Sequence, residues 1–152
     1  MADIVDARTR SRMMSCVKSR NTKPEMILRR WLHARGFRYR LHVRKLPGCP
    51  DLVLPRYRAV ILIHGCFWHR HEGCRFATTP QTRSEYWANK FQRNVNRDRD
   101  NHRALLEAGW RVATVWECAL RHGSREELLA ALAGWLKGEQ REFSSDVVVA
   151  PM

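Results

Sequence analysis

The stretch His64-Gly65-Cys66-Phe67-Trp68-His69-Arg70-His71-Glu72-Gly73-Cys74 constrains this chain more than any other. It follows directly on the apolar run Ala59–Ile63, so it reads as a polar loop at the end of a fully buried strand. Cys66, His71 and Cys74 offer three soft ligands at loop spacing, and Cys118, just past a later strand, can supply a fourth. Three thiolates and one imidazole make a closed tetrahedral set of the structural zinc kind. His69 lies within reach as well, although His71 is the better placed. The competing explanation is burial alone, since single cysteines are commonly inert core residues. Clustering with histidine in a polar loop favours the metal. The five cysteines are odd in number and follow no secretory signal, so a disulfide framework is not expected.

Around this loop the chain punctuates clearly. Thr22-Lys23-Pro24-Glu25 opens a helix, with Thr22 as cap, Pro24 in the first turn and Glu25 completing a capping box. Met26, Ile27, Leu28, Trp31 and Leu32 form its apolar stripe, and Gly36 stops it. Phe37–Val43 alternates as a half-buried strand, Asp51–Leu54 is a short strand, and Ala59–His64 is a central one. Ser84 and Glu85 begin a second helical stretch that is interrupted in pattern by the polar run Asn96–Arg103 and resumes to Gly109. Trp110–Trp116 is another buried strand, and a last helix carries Leu128, Leu129, Leu132, Trp135 and Leu136. The order α-β-β-β-α-β-α predicts an α/β fold, a mixed central sheet flanked by helices. Residues 1–21 read as a mobile basic arm, 22–138 as the metal-containing domain, and 139–152 as a loosely ordered tail.

Charge names the partner class. The chain carries a net charge of +13, and from Arg8 to Lys45 thirteen basic residues face one acid, Glu25. From Glu117 to Met152 the balance turns to four basic against six acidic. A uniform solubilising coat would not segregate in this way, and a front half so basic predicts a polyanion, most simply nucleic acid. No amphipathic Lys-rich helix with a Trp or Leu face supports a membrane surface instead. With no spanning segment and no signal peptide, a cytoplasmic location is expected.

Asp51 follows Pro50 beside the strand that ends at His64. Carboxylates at adjacent strand ends present hard oxygen ligands to Mg²⁺, although Pro-Asp is also ordinary turn chemistry. Glu25 has its capping role, His64 alone reads as a core histidine, and Asp98 sits among alternating charges typical of a solvated helix face. Phe67 and Trp68 lie in a loop, where aromatics near a basic surface can wedge between base steps. Trp87 pairs with Phe91 at helical spacing and reads as core. The absence of a phosphate-cradling glycine loop and of a G-x-S-x-G elbow excludes nucleotide-driven motors and serine hydrolases.

Six segments together resemble one known family. They are Asn21-Thr22-Lys23-Pro24-Glu25, Pro47-Gly48-x-Pro50-Asp51, His64-Gly65-Cys66-Phe67-Trp68-His69, Asn94-Val95-x-Arg97-Asp98, Gly109-Trp110-Arg111-Val112 and Val115-Trp116-Glu117-Cys118. In this order, from about Thr9 to Trp135, the chain is similar to the very short patch repair (Vsr) endonucleases. The resemblance implies a restriction-endonuclease-like core and a DNA repair enzyme that nicks one strand of duplex DNA at a T:G mismatch. It implies Mg²⁺ at Asp51 and at the backbone carbonyl of Ile63, and His69 as the residue that activates water. His64, with Asp98 beside it, and Glu25 would complete the active site. Structural Zn²⁺ would sit on Cys66, His71, Cys74 and Cys118, and Phe67, Trp68 and Trp87 would enter the duplex. A monomer of the bacterial cytoplasm, associated with the nucleoid and with other mismatch-repair proteins, is further implied. The Glu-x-Lys of the wider nuclease fold is absent, with Leu62-Ile63-His64 in that region. Some relatives carry Thr in place of Ile63, which is harmless if only the carbonyl meets the metal. A non-catalytic zinc DNA-binding module, or a related nuclease that cuts matched DNA, are the alternatives.

Overall fold

The computed structural model describes residues 21–151. The basic arm read at 1–21 lies outside the described residues, Asn21 excepted. Helix α1 (Lys23–Ala34) begins as its sequence dictates: the Thr22 side chain accepts from the Glu25 N–H at 3.4 Å. The return half of the cap differs slightly, because Glu25 Oε2 accepts from the N–H of Asn21 at 3.2 Å. At the other end Gly36, with φ +87°, donates to His33 and Phe37 donates to Leu32. That is a Schellman closure, and it turns the chain so that Phe37 is buried.

Strand β1 is only Arg40–Leu41, shorter than the alternation of Phe37–Val43 suggested. Phe37 is consumed by the helix closure, and His42 adopts φ +48°, which ends the extended run. Strand β2 (Leu52–Leu54) pairs antiparallel with β1 and with β3 (Ala59–His64). A 24-residue helix α2 (Ser84–Glu107) then crosses to β4 (Arg111–Trp116), which runs parallel to β3 with His64 beside Trp116. Continuous helix replaces the interrupted one: the polar run 96–103 stays helical because Phe91 and Leu105, at either end of it, are both buried.

A short helix α3 (Glu117–Arg121), unforeseen in the sequence, follows β4 directly, and α4 is Arg125–Lys137. The tail is a correction. It forms β5 (Glu142–Ser144), parallel to β4, and a 3-10 turn at Ser145–Val147. Ser145 is fully buried, and its hydroxyl accepts from the N–H of Trp116 at 3.0 Å. The Arg111 guanidinium helps to hold this region, donating to the carbonyls of Gln140 and Leu136.

The sheet order is β1-β2-β3-β4-β5, mixed as expected. Each face of it is covered, which explains the unbroken apolar run of β3. Ala59 and Ile61 pack with α1, α3 and α4 through Leu28, Leu32, Leu120 and Leu132. Val60 and Leu62 pack with Leu105 of α2. Among the described residues no helix is long and apolar enough to cross a membrane.

Candidate active site and metal centre

Because β3 and β4 are parallel and in register at His64 and Trp116, the residues just beyond both strands emerge together. Cys66 and Cys118 are two of these. The loop folds back by successive turns, with the N–H of His71 donating to Cys66 and that of Cys74 to His71. This brings Cys66, His71, Cys74 and Cys118, all buried, to ligand atoms within 4.8 Å of one another. His71 Nδ1 lies 3.6 Å from Cys66 Sγ and 3.5 Å from Cys118 Sγ. Its Nε2 meets Asp146 Oδ1 at 2.7 Å, and its ring stacks on Trp116 at 4.2 Å. Burial pushes the Cys66 thiol well above its ordinary value, an effect the neighbouring sulfurs increase. Three buried thiols with one orientated imidazole suit a soft dication, which alone would favour their anionic form. His69, the other histidine within reach in sequence, points elsewhere.

His69 Nδ1 meets Asp98 Oδ2 of α2 at 2.6 Å, and its ring stacks on that of His64 at 4.0 Å and 5°. The partner of Asp98 is thus His69 rather than His64, although ligand atoms of all three lie within 4.8 Å of one another. Burial pushes Asp98 upward, but the hydrogen bond and charge of His69 prevail and hold it below the usual carboxylate range. His64 is driven down to about 3 by burial and by the adjacent His69, which keeps it neutral. These groups line an open cleft of about 450 Å³, whose wall also carries Arg99, His102 and Arg103 of α2. Such a cleft joins a positioned imidazole to a cationic wall, the pairing needed to hold a phosphate and move a proton beside it.

Asp51 sits immediately before β2, and its Oδ2 accepts from the Ile63 N–H at 2.8 Å. Burial raises its carboxyl to about 7; the Ile63 hydrogen bond opposes the rise, and the charge of Glu25 adds to it. Glu25 is 0% exposed, with Oε2 accepting from Arg29 Nη1 at 3.0 Å. Its Oε1 faces His42 Nε2 at 3.3 Å. Glu25, His42 and Asp51 form the third set of ligand atoms within 4.8 Å. Glu25 therefore holds its capping position and also reaches the site.

The aromatic residues gather on one side. Phe67 contacts Trp68, Trp87 and Phe91 edge-on, with centroids 5.0, 5.8 and 5.2 Å away. Trp87 is half-buried against Phe91, whereas Trp68 is 48% exposed. Arg70 fixes the loop from behind: it donates to the carbonyls of Phe67, Ala77 and Thr78 and stacks on Phe91 at 3.9 Å. Asn94 Nδ2 donates to the carbonyl of Trp68 at 3.2 Å.

Sequence reasoning passed over His42, Arg70 and Asp146. His42 was the polar side of an alternating strand, and Arg70 one of many arginines. Asp146 lies 75 residues from His71, so nothing local linked them. Only the unusual density of the 64–74 loop hinted that Arg70 had a structural role there.

A mixed five-stranded sheet flanked by helices, with acidic and imidazole groups gathered at its strand ends, defines the restriction-endonuclease-like α/β class. Comparison with known proteins narrows the class further. The family model for "DNA mismatch endonuclease Vsr" matches residues 2–75. The DNA mismatch endonuclease Vsr of Escherichia coli (strain K12) is 44% identical over 142 residues, covering 91% of this chain and 90% of that protein. The type II nicking enzyme V.XorIIP of Xanthomonas oryzae pv. oryzae is 47% identical over 120 residues, 79% of this chain and 88% of the relative. The type II nicking enzyme V.NaeI of Lentzea aerocolonigenes is 36% identical over 141 residues, 90% and 81% respectively. This chain belongs to the DNA mismatch endonuclease Vsr family.

Proposed function

We propose that this protein is a DNA repair endonuclease that nicks one strand of duplex DNA at T:G mismatches by Mg²⁺-dependent phosphodiester hydrolysis. The observation that carries the reading is the His69–Asp98 pair, at 2.6 Å, in a cleft that Arg99 and Arg103 also line. The names of the relatives, a mismatch endonuclease and nicking enzymes, support it.

Asp98 accepts the Nδ1–H of His69, which leaves the Nε2 lone pair available to take a proton from water. As His69 becomes cationic, Asp98 stabilises it. Neutral His64 backs the ring without adding charge. Arg99 and Arg103 bind the phosphate backbone and place the scissile bond. Asp51 and the Ile63 carbonyl would hold Mg²⁺, with Glu25 close by; the hard oxygen donor suits that ion. Bound there, the cation would supply charge neutralisation at the phosphate and a Lewis-acid contact for the attacking oxygen.

Cys66, His71, Cys74 and Cys118 would hold structural Zn²⁺, and the buried thiols with a pre-orientated His71 fit it. Those ligands bracket Phe67 and Trp68, so the same centre presents the aromatics to DNA. A T:G wobble stacks less well than a matched pair, so opening the step beside it is easier for a wedge of Trp68, Phe67 and Trp87. The basic arm, 1–21, would add phosphate contacts ahead of the folded domain, and the reading places the enzyme in the bacterial cytoplasm as a monomer. End-labelled T:G and matched duplexes, incubated with the protein and Mg²⁺, test the reading. Nicking of one strand of the T:G duplex is expected. Binding without cleavage would indicate a DNA-binding module, and equal cleavage of both duplexes a restriction-type enzyme.

A further inference from the structure

We propose that Glu25 Oε1, His42 Nε2 and the Asp51 carboxylate form a mixed carboxylate–imidazole seat that prefers Mn²⁺ or Co²⁺ to Mg²⁺. The inference deepens the cation assignment at Asp51 and rests on it. Three observations carry it. The three ligand atoms lie within 4.8 Å of one another. Glu25 has no exposed surface, yet its Oε1 has no hydrogen-bond partner among the described residues, and neither has the His42 Nε2 that faces it at 3.3 Å. They meet only each other, as an ion pair at 3.3 Å without a well-formed hydrogen bond, and buried polar atoms are seldom left so, which marks a place for a third party. Finally, the backbone is strained where it puts His42 there. Its φ of +48° is the left-handed region, while its N–H donates to the Asp51 carbonyl at 3.1 Å. Held strain of this sort gathers at ligand clamps.

Donor chemistry sets the choice of ion. Two carboxylates alone suit Mg²⁺ or Ca²⁺, which take oxygen ligands. A neutral imidazole adds a softer donor, and affinity at such a set rises from Mn²⁺ through Co²⁺ and Ni²⁺. Mg²⁺ gains little from that nitrogen. His42 therefore tunes which cation occupies the Asp51 site, while the oxygens remain sufficient for Mg²⁺.

The test uses the full-length, zinc-loaded protein without DNA. Mn²⁺ binding is titrated by the EPR signal of the unbound ion, Mg²⁺ binding by competition against it, and directly bound nitrogen by pulsed EPR of the Mn²⁺ complex. The variants are His42→Asn, chosen because Asn tolerates a left-handed backbone, and Asp51→Asn. Wild type should bind Mn²⁺ about tenfold or more tighter than Mg²⁺ and show ¹⁴N modulation. His42→Asn should lose the modulation and most of the preference, and Asp51→Asn should lose the site. Unchanged Mn²⁺ affinity in His42→Asn, or a ¹⁴N signal that survives in it, would overturn the proposal and leave an ordinary Glu25–His42 ion pair. Parallel nicking of the T:G duplex separates the two readings. His42-dependent Mn²⁺ binding without nicking sinks the mismatch function alone, whereas nicking with His42-independent binding sinks only this inference.

Discussion

Replacing Asp98 by Asn should slow strand nicking far more than it weakens DNA binding or the fold. The His69–Asp98 contact is 2.6 Å, with side chains 26% and 20% exposed, so solvent screens it only partly. A hydrogen bond between charged partners contributes about 1.5–3 kcal/mol, and its loss as His69 gains charge would slow the step roughly 10- to 150-fold. A second effect compounds the first. The side-chain amide introduced by Asp98→Asn can donate to His69 Nδ1, which forces the ring proton onto Nε2 and removes the base from the cleft. In a fully buried Asp–His pair that tautomer error is worth on the order of 10⁴, which sets the upper bound for this half-buried pair. Asp98→Asn should therefore cut the single-turnover rate by on the order of 10² to 10⁴. The assay is nicking of a pre-bound T:G duplex at saturating Mg²⁺, with affinity measured separately and held within about threefold. Coupling supplies the control: on a His69→Gln background, Asp98→Asn should slow the reaction little further. A rate within threefold of wild type for the single variant would refute the assignment of His69 as an orientated base.

Trp68→Ala should weaken binding to a T:G duplex by about 1–3 kcal/mol, the stacking contribution of one exposed aromatic, and matched DNA by less. Equal losses at one fixed salt concentration would make Trp68 a packing residue. Cys118→Ser should release the metal and lower the Tm by roughly 10 °C, equivalent to about 3 kcal/mol at this size. One tightly held zinc in the folded variant would remove Cys118 from the ligand set. The Asp51 carboxyl, raised to about 7, holds its proton below that pH, and a cation must displace it. Calorimetric Mg²⁺ affinity should therefore fall about tenfold per unit as pH drops below 7 and level off above it. A flat profile between pH 6 and 8 would contradict that account.

Much of the frame was legible because local and global signals agree. The capping residue Thr22, the stop at Gly36 and the apolar strand Ala59–His64 each appear where the sequence reads them. The clustering of Cys66, His71, Cys74 and Cys118 was legible for another reason: three of them lie close in sequence, and the distant Cys118 was betrayed by its place after a strand. What escaped was set by contacts with no sequence trace. The tail joins β4 through three paired residues and a buried Ser145, and a polar stretch with no periodicity gives no hint of either. His42 leaves its strand because of one backbone angle, and alternation cannot reveal a reversal of φ. Asp98 presents the converse. Its alternating charges predict solvent, yet the length of α2 carries it to β3, and only the fold pairs it with His69.

The Asp51→Ala variant on the T:G duplex tests the account most directly, since it removes the half-buried carboxylate while leaving the aromatic loop, the arm and the cysteine centre in place. Binding should stay within about threefold of wild type, and no nicked strand should form with Mg²⁺ over a period in which wild type converts the duplex completely. Nicking by this variant at a rate near wild type would contradict the account.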